Sequence, residues 1–158
     1  MNRRGAEGAE ERGVGEPEES LNRLTEGVIG AAMEVHSVLG PGFLESVYAK
    51  ALCVELVRRG IPFAHQVPIN VAYKGSSVGE ARLDLLVGGR LVVELKATER
   101  QAPIHLAQVL YYLKAFRLPL GLLINFNVES LCFGIRRIVN TPSPPPSAPS
   151  APSAVPSS

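Results

Sequence analysis

The sequence has no tryptophan, two cysteines and one aspartate, set against fourteen glutamates. It contains no CxxC pair and no Cys/His cluster, which argues against a zinc site. Cys53 falls in an expected helix and Cys132 in an expected strand, both in apolar company. Two such thiols fit buried, reduced residues of a cytoplasmic protein. No apolar run is long enough to span a bilayer. Residues 1–20 carry six Glu and three Arg and no apolar signal region, so secretion is disfavoured. Net charge is +1 over 158 residues, and that total makes no case for a polyanion partner. Residues 21–140 nevertheless hold thirteen Lys and Arg against nine Asp and Glu, a surplus of +4 compatible with one.

Hydrophobic residues make up 46% of the chain, which suits one globular domain. That domain is expected over residues 20–140. An acidic tail (1–19) precedes it and a Pro/Ser/Ala tail (141–158) follows, both expected to be disordered. Ser20 is placed to cap a helix whose apolar stripe runs through Leu21, Leu24, Val28, Ala31, Ala32, Val35 and Leu39. Gly40-Pro41-Gly42 ends it, and a second helix is expected from about Leu44 to Arg59. Residues 63–73 alternate as a strand, Lys74-Gly75-Ser76-Ser77 turns, and a strand follows near 78–87. Gly88-Gly89 leads into the strand Leu91-Val92-Val93-Glu94-Leu95-Lys96. Pro103 starts a third helix, and residues 120–126 and 131–139 read as the last strands. The order is ααβββαββ, an α/β fold with helices on both sides of a mixed sheet.

Glu94 and Lys96 interrupt an apolar strand. As neighbours two residues apart they share one face, and the plain reading makes that face solvated. The lone Asp84 changes the balance. It stands inside the preceding strand, where aspartate is disfavoured. Two carboxylates converging across a hairpin can hold Mg²⁺ or a similar hard cation, and a nearby lysine can steady a developing anion. Geometry sets a condition on this. A two-residue Gly88-Gly89 loop puts Asp84 opposite Val93, on the wrong face. A three-residue loop that includes Arg90, or a bulge, puts it opposite Glu94.

These residues, with "GFLESVY" at 42–48 and Gln108-Val109-Leu110-Tyr111-Tyr112 on the third helix, resemble the PD-(D/E)XK nuclease superfamily. Within it the chain is most similar to GxxExxY proteins of bacteria and archaea. Asp84, Glu94 and Lys96 match the Asp and Glu-x-Lys motif, and Gln108 with Tyr112 matches a Gln-x-x-x-Tyr motif. The likeness covers about residues 21–139. Leu83 stands where the superfamily often has proline.

The resemblance implies a restriction-endonuclease-like, three-layer α/β/α fold around a central mixed sheet. It also implies a metal-dependent nuclease acting on phosphodiester bonds, with DNA as the usual substrate. Asp84, Glu94 and the Leu95 backbone carbonyl are then the ligands of Mg²⁺ or Mn²⁺. Lys96 positions water or stabilises charge, Glu45 is a third acid, and Gln108 assists. Tyr48, Arg82 and Tyr112 become candidate substrate contacts. Each has a bland counterpart. Glu45 suits a helix start, Tyr48 suits a core, Arg82 suits a surface pair, and Gln108 and Tyr112 suit a solvated helix face. The competing function is a non-catalytic nucleic-acid- or protein-binding module that keeps the fold. The oligomeric state stays open, a homodimer included.

Overall fold

A computed structural model describes residues 5–141, with side chains from residue 18 onward. Helix α1 spans Gly5–Leu39 and α2 Glu45–Arg58. Strands β1 (Phe63–Tyr73), β2 (Ser76–Val87) and β3 (Leu91–Lys96) follow. Helix α3 (Pro103–Phe116), β4 (Leu120–Asn125) and β5 (Ile135–Val139) complete the expected order ααβββαββ.

The five strands lie side by side in chain order. Only β3 and β4 run parallel, and α3 is the crossover that parallel strands require. Apolar side chains pack on both faces of the sheet. On one face Leu85, Val87, Leu91, Val93 and Leu95 meet Val28, Ala31 and Ala32 of α1 and Leu52 and Leu56 of α2. On the other, Val92, Leu123 and Ile138 meet Val109, Tyr112 and Leu113 of α3. The result is the restriction-endonuclease-like α/β/α sandwich. Among the described residues no helix is long and apolar enough to cross a membrane.

Several local expectations are corrected. Helix α1 begins at Gly5, so Ser20 lies inside it and residues 5–19, expected to be a disordered tail, continue the helix. Six Glu and two Ala in that stretch favour helix, against four Gly and Pro17, which do not. The Ser20 hydroxyl accepts from Arg90 Nη1 at 2.7 Å instead of capping. The β1–β2 turn is only Lys74-Gly75, because Ser76 already pairs with Tyr73. The segment expected to be one strand over 131–139 opens as a 3₁₀ turn, Leu131–Phe133, so Cys132 is exposed rather than buried. The expected tails at 1–4 and 142–158 lie outside the described residues.

The β2–β3 hairpin meets the condition set by its charges. Val87 pairs with Leu91 across a three-residue loop, Gly88-Gly89-Arg90. Gly88 and Gly89 take φ of 60° and 69°, which glycine adopts without strain, and the Arg90 N–H donates to the Val87 carbonyl at 3.0 Å. Deleting Gly89 leaves a two-residue loop and slips β2 against β3 by one position, turning buried side chains outward. A circular-dichroism melt of that variant is expected to lose roughly 10 °C or more in Tm. An unchanged Tm would show that the loop does not set the register.

Candidate active site

The β2–β3 ladder runs Val87↔Leu91, Leu86↔Val92, Leu85↔Val93 and then stops. The next rung would join Asp84 to Glu94. There the strands part, and side chains bridge the gap. The Leu95 N–H donates to Asp84 Oδ2 at 2.8 Å. The Asp84 N–H donates to Glu94 Oε1 at 3.2 Å. Each carboxylate thus takes a backbone donor left by the broken ladder, a need that any buried strand end must satisfy.

This arrangement rejects the solvated-face reading of the strand. Residues 91–95 are all buried, and Glu94 is only 3% exposed. Burial is the first cause that pushes its carboxyl up to about 8, and the Asp84 charge adds to it. The Asp84 N–H and Lys96 oppose the rise, and Glu45 adds a smaller push. Asp84 is also raised by burial, against the pull of the Leu95 N–H and Lys96. Glu45, in the first turn of α2, is raised by burial and then by Asp84, and Lys96 lowers it. Glu45, Asp84, Glu94 and Lys96 therefore share one electrostatic field, built from α2, β2 and β3.

Gln108 lies behind this group on α3. Its Nε2 donates to the Tyr112 hydroxyl at 3.2 Å, and that hydroxyl donates to the Arg82 carbonyl at 2.9 Å. Tyr112 is 1% exposed, so it cannot stack on a substrate base. It faces the sheet with Val109 and Leu113 and ties α3 to the β2 backbone two residues before Asp84. Tyr48 is likewise corrected. It is 0% exposed, its ring stacks on Phe126 at 4.5 Å, and its hydroxyl donates to the Gly40 carbonyl at 2.5 Å. The hydroxyl also accepts the Phe43 N–H at 3.2 Å, so Tyr48 closes the Gly40-Pro41-Gly42 bend. Arg82 is exposed and makes surface contacts, to the Gln66 carbonyl at 3.2 Å and to Glu80 at 3.5 Å.

One residue escaped the sequence reading. Asn125 ends the buried strand β4, in register with Lys96, and is itself buried. Its Oδ1 accepts the Thr98 N–H at 3.0 Å, and its Nδ2 donates to the Thr98 carbonyl at 2.8 Å. This pair fixes the chain as it leaves Lys96. The available signal was a polar residue at the end of an otherwise apolar strand, the feature that marked Glu94. His36 is buried, with its Nε2 2.7 Å from the Val128 carbonyl and its ring near that of Phe126.

Asp84 Oδ1 and Glu94 Oε2 accept no hydrogen bond from the described residues. Leu95 presents its carbonyl to the side on which its N–H meets Asp84, as β-strand geometry requires. Among the described residues, no three His, Cys, Asp or Glu side chains form an all-protein metal cage. Two carboxylates with a carbonyl is nevertheless the sparse oxygen set that suits Mg²⁺, which keeps several waters. Residues 22–138 match the family model of the PD-(D/E)XK nuclease superfamily. No curated protein and no solved structure matches the chain.

The raised carboxyl has a consequence for stability. Unfolded, Glu94 ionises near pH ~4.3. Folded, it holds its proton to about 8. Between those values the folded state binds the extra proton, so metal-free stability falls as pH rises and levels off above about 8. Glu94→Gln removes that contribution. Urea denaturation in EDTA from pH 4.5 to 8.5 is expected to show a flatter profile for the variant and a gain of about 1–3 kcal/mol at the alkaline end. Parallel profiles would mean that Glu94 is ionised throughout.

Proposed function

The chain belongs to the PD-(D/E)XK nuclease superfamily, and on that premise we propose that it hydrolyses phosphodiester bonds of DNA with Mg²⁺ or Mn²⁺. The observation that carries this reading is the meeting of Asp84, Glu94 and Lys96 at one break in the sheet. Asp84 Oδ1, Glu94 Oε2 and the Leu95 carbonyl would hold the ion. When bound, such an ion polarises a phosphate and lowers the pKa of water.

The chain's own groups do the rest. The Leu95 and Asp84 N–H groups hold one oxygen of each carboxylate and leave the other without a donor among the described residues, so it is free to take an ion. Lys96 brings the positive charge of the group and stabilises negative charge as it grows on the phosphate. Glu45, exposed at the start of α2, feels the charges of Asp84 and Lys96. It holds water there, and its raised pKa suits it to accept a proton. Gln108 and Tyr112 act at one remove, fixing β2 through the Arg82 carbonyl.

A second reading rests on the same two contacts. Asp84 and Glu94 also repair a broken ladder, so a non-catalytic binding module would keep them for stability. Asp84→Asn and Lys96→Ala separate the two. Assays on single- and double-stranded DNA with Mn²⁺ or Mg²⁺ are expected to show activity that EDTA abolishes. Each substitution should lower it by about 10²-fold or more. If wild type and both variants are equally inert at high protein concentration, the binding-module reading replaces the enzyme.

A further inference from the structure

Strand β1 contains a backbone break that the chemistry above does not use. Gln66 takes φ of 54°, a left-handed conformation uncommon for any residue but glycine, asparagine or aspartate. It lies mid-strand. His65 pairs with Leu85 and Val67 with Leu83, so the rung between them belongs to Gln66 and Asp84. That rung is missing, yet the register on either side is the same.

The hairpin turns over at this rung. Leu85 and Val87 pack on the α1/α2 face, with Phe63 of β1 against them. Leu83, two residues from Leu85, packs on the α3 face with Ile69, Val67 and Ala81. Residues two apart in a regular strand share a face. Here both strands exchange faces between 65 and 67 and between 83 and 85. Among the described residues of β1 and β2, Gln66 is the one with positive φ.

The turnover changes what the backbone groups meet. The Gln66 carbonyl, withdrawn from the ladder, accepts Arg82 Nη1 at 3.2 Å. The Asp84 N–H, without its rung, donates to Glu94 Oε1. Asp84 itself, at the crossing point, lays its carboxylate where a neighbouring strand's carbonyl would be and accepts the Leu95 N–H. We propose that Gln66 is a positioning residue, whose left-handed backbone turns the β1–β2 hairpin over at Asp84 and so frees the Asp84 N–H to hold Glu94. The effect on catalysis rests on the nuclease reading; the effect on the Asp84 N–H does not.

The test separates the two. Gln66→Gly and Gln66→Asn accept positive φ, whereas Gln66→Val does not. In metal-free protein, the Asp84 amide resonance is compared with and without Glu94→Gln in each background. We expect Glu94→Gln to displace that resonance in wild type, Gln66→Gly and Gln66→Asn, and to leave it unmoved in Gln66→Val. On DNA, Gln66→Val should lose kcat by about 10²-fold with KM little changed, and Gln66→Gly should keep it. A Gln66→Val protein that retains both the displacement and kcat overturns the proposal. So does a folded Gln66→Gly protein in which the displacement is gone. If Gln66→Val does not fold, Gln66→Gly decides alone: it must keep the displacement and melt no lower than wild type. An inert wild type that shows the displacement supports the positioning role and removes the nuclease reading.

Discussion

Everything distinctive in this protein depends on one exchange across a gap between two strands. The Asp84 carboxylate takes the Leu95 N–H, and the Glu94 carboxylate takes the Asp84 N–H. In an unbroken sheet those donors would meet carbonyls, and Glu94 would be intolerable in a strand buried from Leu91 to Leu95. Because the ladder ends, the acids become partners for stranded donors. The same event leaves the second oxygen of each acid without a donor among the described residues. Stability and chemistry therefore draw on one feature, the point where β2 leaves β3.

The surrounding fold keeps that point in place from several directions. The three-residue loop sets the register from below. Tyr112 holds the Arg82 carbonyl from the α3 side. Asn125 fixes the chain beyond Lys96. Tyr48 locks the bend that delivers Glu45 to the start of α2. Three of these four are buried polar side chains whose hydrogen bonds are complete within the protein. Removing any one would strand a partner in the interior and shift the acids by the small distances that matter to the proposed catalysis.

Much of this was legible in the residues. A lone Asp in a strand, a Glu-x-Lys in the next, and a glycine pair between them set a condition for convergence, a three-residue loop or a bulge, and the hairpin adopts the loop. Element order followed from periodicity and from the Gly and Pro stops. Other features were hidden for physical reasons. Tyr48 and Tyr112 have large apolar rings and polar tips, so composition alone does not say whether the ring is buried or presented. The stripe Leu106, Val109, Leu110, Leu113 and Phe116 does face the sheet, and Tyr112 joins it because its hydroxyl is satisfied by Gln108 and the Arg82 carbonyl. The alternation of Phe63, Val67 and Ile69 is that of an unbroken strand. No pattern of period two can reveal that Gln66 reverses its faces midway. The helix over residues 5–19 was missed because a charged, Glu-rich segment with four Gly and Pro17 reads as solvated tail.

A buried acid held near pKa 8 beside two others is a site with a surplus of negative charge, which a proton or a doubly charged ion can relieve. That competition is the link from packing to proposed activity. It is most directly measured by electron paramagnetic resonance of Mn²⁺ titrated into the protein at pH 8. We expect one ion bound per chain in wild type and none at the same concentrations in Asp84→Asn. Equal binding by both proteins, or none by either, would contradict the central claim that this break in the sheet is a cation site.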